Sequence, residues 1–415
     1  MQLLSKIIHH PVTKQITLYL CLLLIIGEIS RDIFRDGDFA GYISAGKLAW
    51  NKLPIYSDYK NTWPPFFSLV SIPLYGLNQI SFVGLRLCWL IGIVVANFYI
   101  IQWVIGQCTT YQLRIRPNDH NKNQIGLTHP LFLVSFLCTL RIFLEELSNL
   151  QINLFILAIS MYILNLILNE KNIFAGLLLG LIISIKVYPL IILGFLLFKR
   201  KFIPAIYSVI GLAISTSLVF VYFGYQEGVS LFHSWTTTQV VNGMKCEFMN
   251  QSIWGWLCGL FTANPRMDGL DYSILNLSHS TFKISTLGII SLLGFFFAYR
   301  FYQTRNHKNA WIIQYIITLS LIPIISPLAW KYYYVFLTPL VVLLVNRFQK
   351  YKTSPWFYVP ILGITFTSEL FIGSHFSDIT EAMGIIPFSA LILSIYATQC
   401  LLEFKEESST TDKIV

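Results

Sequence analysis

The stretch FIPAIYSVIGLAISTSLVFVYF, residues 202–223, decides the class of fold, because it contains no charged residue. At about 1.5 Å per residue, a helix of this length extends about 33 Å, close to the roughly 30 Å hydrocarbon core of a bilayer. A second uncharged run covers residues 154–168. Backbone polar groups in lipid must be bonded internally, so such runs predict transmembrane helices.

The composition of the whole chain supports this interpretation. Of 415 residues, 55% are hydrophobic and only 12% are charged, and the mean hydropathy is +0.62. Soluble domains carry about 25% charged residues, and a soluble fold could not hide this much apolar surface. We therefore predict an all-α, polytopic membrane protein with a single transmembrane domain over residues 1–404 and a disordered cytoplasmic tail over 405–415.

Basic clusters predict the orientation of the chain. The net charge of +9 does not indicate nucleic acid binding, because basic residues lie in short clusters between apolar runs rather than along one face. Lys199-Arg200-Lys201, and Arg114 with Arg116, instead predict cytoplasmic loops.

Counting crossings from these anchors gives a topology. With the amino terminus inside, residues 31–63 and 224–282 become external loops, and short juxtamembrane helices are expected in the first of them. About twelve transmembrane helices then return the carboxyl terminus to the inside. Residues 64–80 are a juxtamembrane or re-entrant element, or a full span if the loop assignment is wrong.

A broken helix is predicted around Lys186. Residues 175–185 and 190–198 are each too short to cross a bilayer comfortably, and they meet at Lys186-Val187-Tyr188-Pro189. Proline interrupts helical hydrogen bonding, and non-helical backbone at membrane depth is tolerated only where it lines a cavity. The sequence therefore places a lysine in a polar turn below the bilayer surface.

Polar side chains near the predicted external face are candidates for function, because such groups are costly at membrane depth. Carboxylates at the rim of a cavity with cations deeper inside suit an anionic lipid head group: the cations neutralise phosphate and a carboxylate accepts a proton. The alternative interpretations are a snorkelling lysine for Lys186 and solvated loop charges for Asp36 and Asp38.

Other groups are less specific. Asp36-Gly37-Asp38 could bracket a divalent cation, but no further acidic or His cluster joins it in sequence, so we expect no metal and no other cofactor. The seven cysteines show no metal-ligand spacing; Cys246 and Cys258 share a predicted external loop and could form a disulfide. Aromatic residues near helix ends suit an interfacial belt, or stacking on a sugar ring.

Short motifs follow one another along the chain in a recognisable order. They are DFAGY at 38–42, PIY at 54–56, WPPF at 63–66, NLQIN at 149–153, AG at 175–176, KVYP at 186–189, NQS at 250–252 and SPLAW at 326–330. Together they resemble glycosyltransferase family 87, the polyprenyl-phosphate-sugar-dependent mannosyltransferases of the GT-C superfamily. The resemblance spans residues 36–340 and implies a GT-C-like fold.

Two positions depart from that family's pattern. Leu150 stands where the family usually has Gly before Gln-x-Asn, and Lys331-Tyr332 follow Trp330 where an acidic residue or His, and then His, are common. A Tyr can hydrogen-bond but does not accept a proton at neutral pH. These departures bear on the sugar and the acceptor more than on the class of reaction.

The resemblance implies roles for individual residues. Asp38 would be the general base, with Asp36 as its rival, and Lys186, Arg141 and Lys331 would neutralise the departing phosphate. The implied substrate-binding residues are Tyr42, Tyr56, Gln151, Asn153, Asn250, Gln251, Trp330 and Tyr332. The implied reaction is an inverting transfer of a mannose-like sugar from a polyprenyl-phosphate donor to a lipid-linked or glycan acceptor.

The expected location is the cytoplasmic (inner) membrane, with the site facing the periplasm and with membrane lipids but no nucleic acid as partners. A lipid-linked sugar flippase or transporter would share the many helices, the basic cavity and the interfacial aromatics. Transporters often contain repeated halves, and we find no internal repeat. A glycan polymerase or ligase that uses a pyrophosphate-linked donor also fits the composition.

Overall fold

The computed structural model describes residues 10–58, 61–110, 126–242, 246–263, 271–305, 310–348 and 354–411, together with residues 267 and 269. This part of the chain is helical and forms no β-strand, as predicted. The basic residues Arg114 and Arg116, which we expected in a cytoplasmic loop, lie outside the described ranges.

The helices follow one another with short connections. In chain order they are α1 (Pro11–Asp32), α2 (Phe39–Trp50), α3 (Pro65–Ile80), α4 (Phe82–Thr110), α5 (Pro130–Ser148), α6 (Asn153–Leu168), α7 (Asn172–Ile185), α8 (Leu190–Phe198), α9 (Phe202–Phe223), α10 (Tyr225–Asn242), α11 (Ile253–Phe261), α12 (His279–Gln303), α13 (Ala310–Ser320), α14 (Ile322–Ile325), α15 (Thr338–Phe348), α16 (Pro355–Phe366), α17 (Glu369–Ala382) and α18 (Ile385–Thr411). Two stretches of 3-10 helix cover Ile55–Ser57 and Lys331–Leu337.

The chain divides into two compact units, each assembled from separate segments. The Asp38 unit consists of Ile25–Phe98 and Leu144–Met244. The Glu381 unit consists of Met1–Leu24, Tyr99–Phe143 and Lys245–Val415. The single transmembrane domain expected over residues 1–404 stays a prediction.

Small residues bring helices of the Asp38 unit close together. A Cβ on Gly180 of α7 would overlap the carbonyl oxygen of Ser208 on α9, and a Cβ on Gly46 of α2 would overlap that of Ser71 on α3. Such contacts between backbones are typical of helix pairs in membranes. They fix α2, which begins just after Asp38, and α7, which ends just before Lys186.

Among the residues that the structure describes, four helices, α1, α4, α9 and α12, are long and apolar enough to cross a membrane. A fifth span is present if α16 and α17, which are bent by 93° at their junction, form one broken crossing. Five further apolar helical stretches in the described ranges have 10–17 residues, fewer than the roughly 20 that a straight crossing needs. The structure thus indicates a membrane protein, with fewer full-length candidates in the described ranges than the twelve crossings expected.

The predicted loops contain helices. The first, over residues 31–63, carries the short helix α2, and the second, over 224–282, carries α10 and α11. The last helix, α18, extends as far as Thr411, and residues 412–415 lie outside the described ranges. The disordered tail expected over 405–415 stays a prediction.

Candidate active site

Asp38 lies at the start of α2, in a turn that is docked on the connection between α5 and α6. Its backbone N–H donates to the carbonyl oxygen of Asn149 at 3.2 Å. The preceding Gly37 has φ +49°, and a Cβ there would lie 2.9 Å from the same Asn149 oxygen. Glycine is therefore required for both backbone conformation and space, and it brings the Asp38 carboxylate to this connection.

The Asp38 carboxylate is held by a buried amide. Gln151 donates a hydrogen bond from Nε2 to Asp38 Oδ2, and its Oε1 accepts one from the Tyr42 hydroxyl at 3.0 Å. Gln151 and Tyr42 are fully buried. The carboxylate accepts but does not donate when ionised, so this arrangement fixes which end of the Gln151 side chain faces Asp38.

The connection that carries Gln151 is a helix-terminating turn. Leu150 N–H donates to Leu147 O at 2.9 Å and Gln151 N–H donates to Glu146 O at 3.1 Å, which is the Schellman pattern at the end of α5. Leu150 has φ +48°, a left-handed conformation that favours Gly. The left-handed backbone at this position suits the Gly that is usual in family 87. Leu150 adopts the same conformation with its side chain buried.

Glu146, which the sequence analysis did not select, lies near the end of α5 and is fully buried. Its carboxylate caps the start of α6: one oxygen accepts from the backbone N–H of Leu154 at 2.8 Å, and the other accepts from the Asn153 amide at 3.0 Å. An anionic side chain is favourable at a helix N-terminus. The available signal in the sequence was a carboxylate in a helix whose other charged residues are Arg141 and Glu145 alone.

Lys186 lies in the break between α7 and α8, at residues 186–189, where the sequence predicted it. Its ammonium donates to Asn153 Oδ1 at 3.2 Å, and the Tyr188 hydroxyl donates to the same oxygen at 2.7 Å. Lys186 is 6% exposed and interacts electrostatically with both Asp38 and Glu146. The buried cation of Lys186 is thus grouped with the two carboxylates of Asp38 and Glu146.

Asp36 has different partners from Asp38. Its side chain is 78% exposed and forms an ion pair of 3.2 Å with the buried guanidinium of Arg86 on α4. Arg86 also donates to the carbonyl oxygen of Arg35, so it fastens the turn that precedes Asp38. Arg86 was not predicted, although it is the sole charged residue in the apolar run 82–105.

Tyr56 stabilises its own loop. Its hydroxyl donates to the carbonyl oxygen of Trp63 at 2.8 Å. Burial raises the pKa of the Tyr56 phenol above its ordinary value, so the group remains a donor at neutral pH. Trp63 in turn packs edge-on against Tyr42, with ring centroids 4.7 Å apart, so the motifs at 38–42, 54–56 and 63–66 meet in this unit.

Arg141 and Lys331 share one carboxylate in the Glu381 unit. Arg141 donates to Ile364 O and Thr367 Oγ1, both at 2.7 Å, and to Glu381 Oε1 at 3.1 Å. The Lys331 ammonium lies 3.0 Å from that same Glu381 oxygen. Arg141 therefore holds the bend between α16 and α17. Arg141 and Lys331, which were both predicted to neutralise phosphate, share a buried anionic partner that the sequence did not reveal.

Asn250 and Gln251 join two loops of the Glu381 unit. Asn250 accepts from Ala329 N–H and donates to Pro327 O, both at 3.1 Å. Gln251 donates from its backbone to Ala329 O at 2.6 Å and from its side chain to Glu381 O at 3.1 Å. A disulfide between Cys246 and Cys258 closes the segment that contains both residues.

Trp330 and Tyr332 form an aromatic pair on either side of Lys331 in sequence. Their rings are parallel to within 1°, with centroids 6.3 Å apart. Tyr332 is buried, whereas Trp330 and Lys331 are half-buried, with 21% of the Lys331 side chain exposed. A half-buried cation between two aromatic residues in sequence suits a ligand that carries both phosphate and sugar.

The predicted residues thus form two groups, one in each unit. The Asp38 unit joins Asp38, Tyr42, Gln151, Asn153 and Lys186, with Asp36 on Arg86 and Tyr56 in the neighbouring loop. The Glu381 unit contains Arg141, Asn250, Gln251, Trp330, Lys331 and Tyr332. Within the described ranges, no three His, Cys, Asp or Glu side chains cluster as metal ligands would.

Comparison with known proteins gives one family. The sequence model of glycosyltransferase family 87 matches residues 61–327, which is more than half of the chain. The matched range contains Gln151, Asn153 and Lys186, and it begins after Asp38. No curated protein and no solved structure matches the chain.

Proposed function

The chain belongs to glycosyltransferase family 87, and from this premise we propose that it transfers a mannose-like sugar from a polyprenyl-phosphate donor to a lipid-linked or glycan acceptor. The observation that carries the proposal is the position of Lys186, a buried cation that interacts with the carboxylates of Asp38 and Glu146. A base and a phosphate-neutralising cation are the two groups that such a transfer needs.

The proposed step moves one proton and breaks one bond. Asp38 takes the proton of the acceptor hydroxyl while that oxygen attacks the anomeric carbon from the face opposite the phosphate. The bond between the anomeric carbon and the phosphate oxygen breaks, and its electron pair leaves with polyprenyl phosphate. The sugar is transferred with inversion, and no nucleotide takes part.

The charges favour this assignment. As Asp38 becomes neutral, the phosphate gains one negative charge, so charge moves from one partner of Lys186 to another. A cation that is already fixed near both positions stabilises the developing charge without reorganising. The buried surroundings of Lys186 strengthen the interaction, because charges interact more strongly at low dielectric.

Asp38 is the better candidate for the base. Its carboxylate lies in the hydrogen-bonded group of Gln151 and near Lys186, whereas Asp36 is largely exposed and paired with Arg86. We propose that Asp36 and Arg86 hold the turn that presents Asp38. Gln151 and Tyr42 would then set the direction of the Asp38 carboxylate, and Asn153 that of Lys186.

In the Glu381 unit, we propose that Lys331 contacts the phosphate of a lipid-linked substrate and that Trp330 and Tyr332 contact its sugar. Arg141 would contribute to phosphate neutralisation mainly by sharing Glu381 with Lys331. Asn250 and Gln251 would support this region through the Pro327–Ala329 backbone.

We also propose the sidedness and topology inferred from the sequence: about twelve crossings of the cytoplasmic membrane with the site on the external side. Support comes from the disulfide between Cys246 and Cys258, since disulfides persist in oxidising compartments. The break between α7 and α8 supports a cavity at membrane depth, because non-helical backbone there needs one.

A reconstitution assay tests the proposed reaction. Purified protein in lipid vesicles is given radiolabelled polyprenyl-phosphate sugar and an extract of bacterial envelope lipids and glycans as acceptors. We expect label to appear in an acceptor, and no transfer from a nucleotide sugar in place of the lipid donor. Movement of the lipid donor across the vesicle without acceptor and without transfer would support a flippase instead.

A further inference from the structure

We infer that Glu146 is a positioning residue of the active site, which acts through Asn153 to hold the Lys186 ammonium next to Asp38. The inference rests on the proposed function of the Asp38 unit and adds a residue that no sequence motif indicated. Glu146 is fully buried, and a buried carboxylate is costly unless hydrogen bonds and an opposite charge compensate it.

Both kinds of compensation are present. Leu154 N–H and the Asn153 amide supply hydrogen bonds at 2.8 and 3.0 Å, and Lys186 supplies the opposite charge. Capping of α6 alone would not need a charge, because Ser, Thr or Asn caps a helix about as well as a carboxylate does. The charge of Glu146 is therefore best explained by Lys186.

Glu146 also determines which way Asn153 faces. An ionised carboxylate only accepts hydrogen bonds, so the NH2 end of the Asn153 amide must point to Glu146. The oxygen end then accepts from the two donors on the other side, the Lys186 ammonium at 3.2 Å and the Tyr188 hydroxyl at 2.7 Å. Glu146 thus acts on the lysine twice, by direct electrostatic attraction and through the orientation of Asn153.

The backbone of Glu146 takes part as well. Its carbonyl oxygen accepts from Gln151 N–H at 3.1 Å, in the turn that also presents Asn149 to Asp38. The backbone of Glu146 therefore stabilises the connection that orients Asp38. Its side chain orients Asn153, which in turn orients Lys186.

The charge of Glu146 has a role in the proposed reaction cycle. The titratable groups that face Lys186 include Asp38, Glu146 and Tyr188. When Asp38 has taken the proton, it no longer attracts the ammonium. Glu146 still does, so Lys186 remains charged and in place while the phosphate leaves.

The test compares Glu146→Gln with Glu170→Gln. Glu170 is exposed just beyond the other end of α6 and serves as a matched control. We expect Glu146→Gln to lower kcat by about 10- to 100-fold, the scale of a small misplacement of a reacting group. The alkaline limb of the rate profile should also move to lower pH, because Lys186 has lost an anionic neighbour that favours its charged form. Glu170→Gln should change neither.

A double variant separates positioning from folding. In Glu146→Gln with Asn153→Asp, the new Gln amide can donate to the new carboxylate, which lies next to Lys186 and restores its counter-charge. We expect this pair to regain at least part of kcat and the position of the alkaline limb. Purely structural damage at Glu146 would leave both uncorrected, and that result would overturn the inference.

Binding of polyprenyl monophosphate, measured by the quenching of tryptophan fluorescence, separates failure of the inference from failure of the proposed function. If the wild type binds polyprenyl monophosphate and transfers sugar, and Glu146→Gln equals it in affinity, kcat and pH profile, only the role of Glu146 is overturned. Wild type that neither binds polyprenyl monophosphate nor transfers sugar overturns the proposed function, and the inference with it.

Discussion

The side-chain amide of Gln151 donates a hydrogen bond to the carboxylate of Asp38, although 113 residues separate them in sequence. Tyr42 fixes the other end of that amide from the first turns of α2, which begins just after Asp38. Two motifs that are far apart in the chain are therefore parts of one hydrogen-bonded group, which directs the carboxylate that we assign as the base.

Gly37→Ala should impair the protein at this turn. The alanine would have to adopt a left-handed conformation, which costs about 1–2 kcal/mol, and its Cβ would press against Asn149 O at 2.9 Å. We expect transfer activity to fall about 10- to 100-fold through displacement of Asp38. Gly27→Ala is the control, because a Cβ there meets nothing within 4 Å, and its activity should match wild type.

Leu150 permits a test of backbone strain. Leu150→Ala and Leu150→Gly both remove a buried side chain, which costs about 2–5 kcal/mol, so both should be less stable than wild type. Gly alone tolerates φ +48° without strain. We therefore expect the free energy of unfolding of the Gly variant to exceed that of the Ala variant by about 1 kcal/mol, so that the Gly variant unfolds at the higher temperature. Thermal unfolding in detergent measures the order, and an Ala variant that is more stable than the Gly variant would contradict it.

The disulfide should stabilise the Asn250–Gln251 segment. Cys246 and Cys258 are 12 residues apart, and closing a loop of that size is worth about 3 kcal/mol in the chain-entropy model. We expect Cys246→Ser with Cys258→Ser to lower the unfolding temperature and to reduce transfer, with the same effect from reductant on wild type. Cys88→Ser, at an exposed free cysteine, should behave as wild type.

Lys186→Met should affect both stability and binding. The change leaves the buried carboxylate of Glu146 without the positive charge that attracts it, and an uncompensated buried charge is destabilising. We expect a lower unfolding temperature, loss of polyprenyl monophosphate binding and loss of transfer. Lys171→Met, at the exposed position just before α7, is the control. A Lys186 variant that binds the lipid phosphate normally would remove Lys186 from the site.

The elements that depend on local sequence were predictable. The uncharged run 202–223 coincides with α9, and Pro189 correctly indicated the break that contains Lys186. The number of crossings does not follow from composition and spacing. The helices α6 and α7 are shorter than a bilayer is thick, and their depth in the membrane depends on neighbouring helices rather than on their own residues.

The partners of the site residues were not predictable. Glu146, Arg86 and Glu381 are charges in largely apolar helices or at their ends, and their sequence neighbours do not show which cation or carboxylate they meet. Leu150 breaks a local rule, since its left-handed conformation is fixed by the hydrogen bonds that end α5 rather than by its own preference. The contacts in these cases join residues that are far apart in sequence, so the periodicity along one helix does not reveal them.

Transfer of label by Asp38→Asn, compared with wild type and with Asp36→Asn, tests the central claim most directly. The substitution keeps the size of the side chain but removes the proton acceptor, and loss of a general base costs about 10²- to 10⁴-fold. We predict a loss of that size for Asp38→Asn and a smaller one for Asp36→Asn, with both proteins folded and able to bind polyprenyl monophosphate. Wild-type rates of transfer in Asp38→Asn would contradict the account.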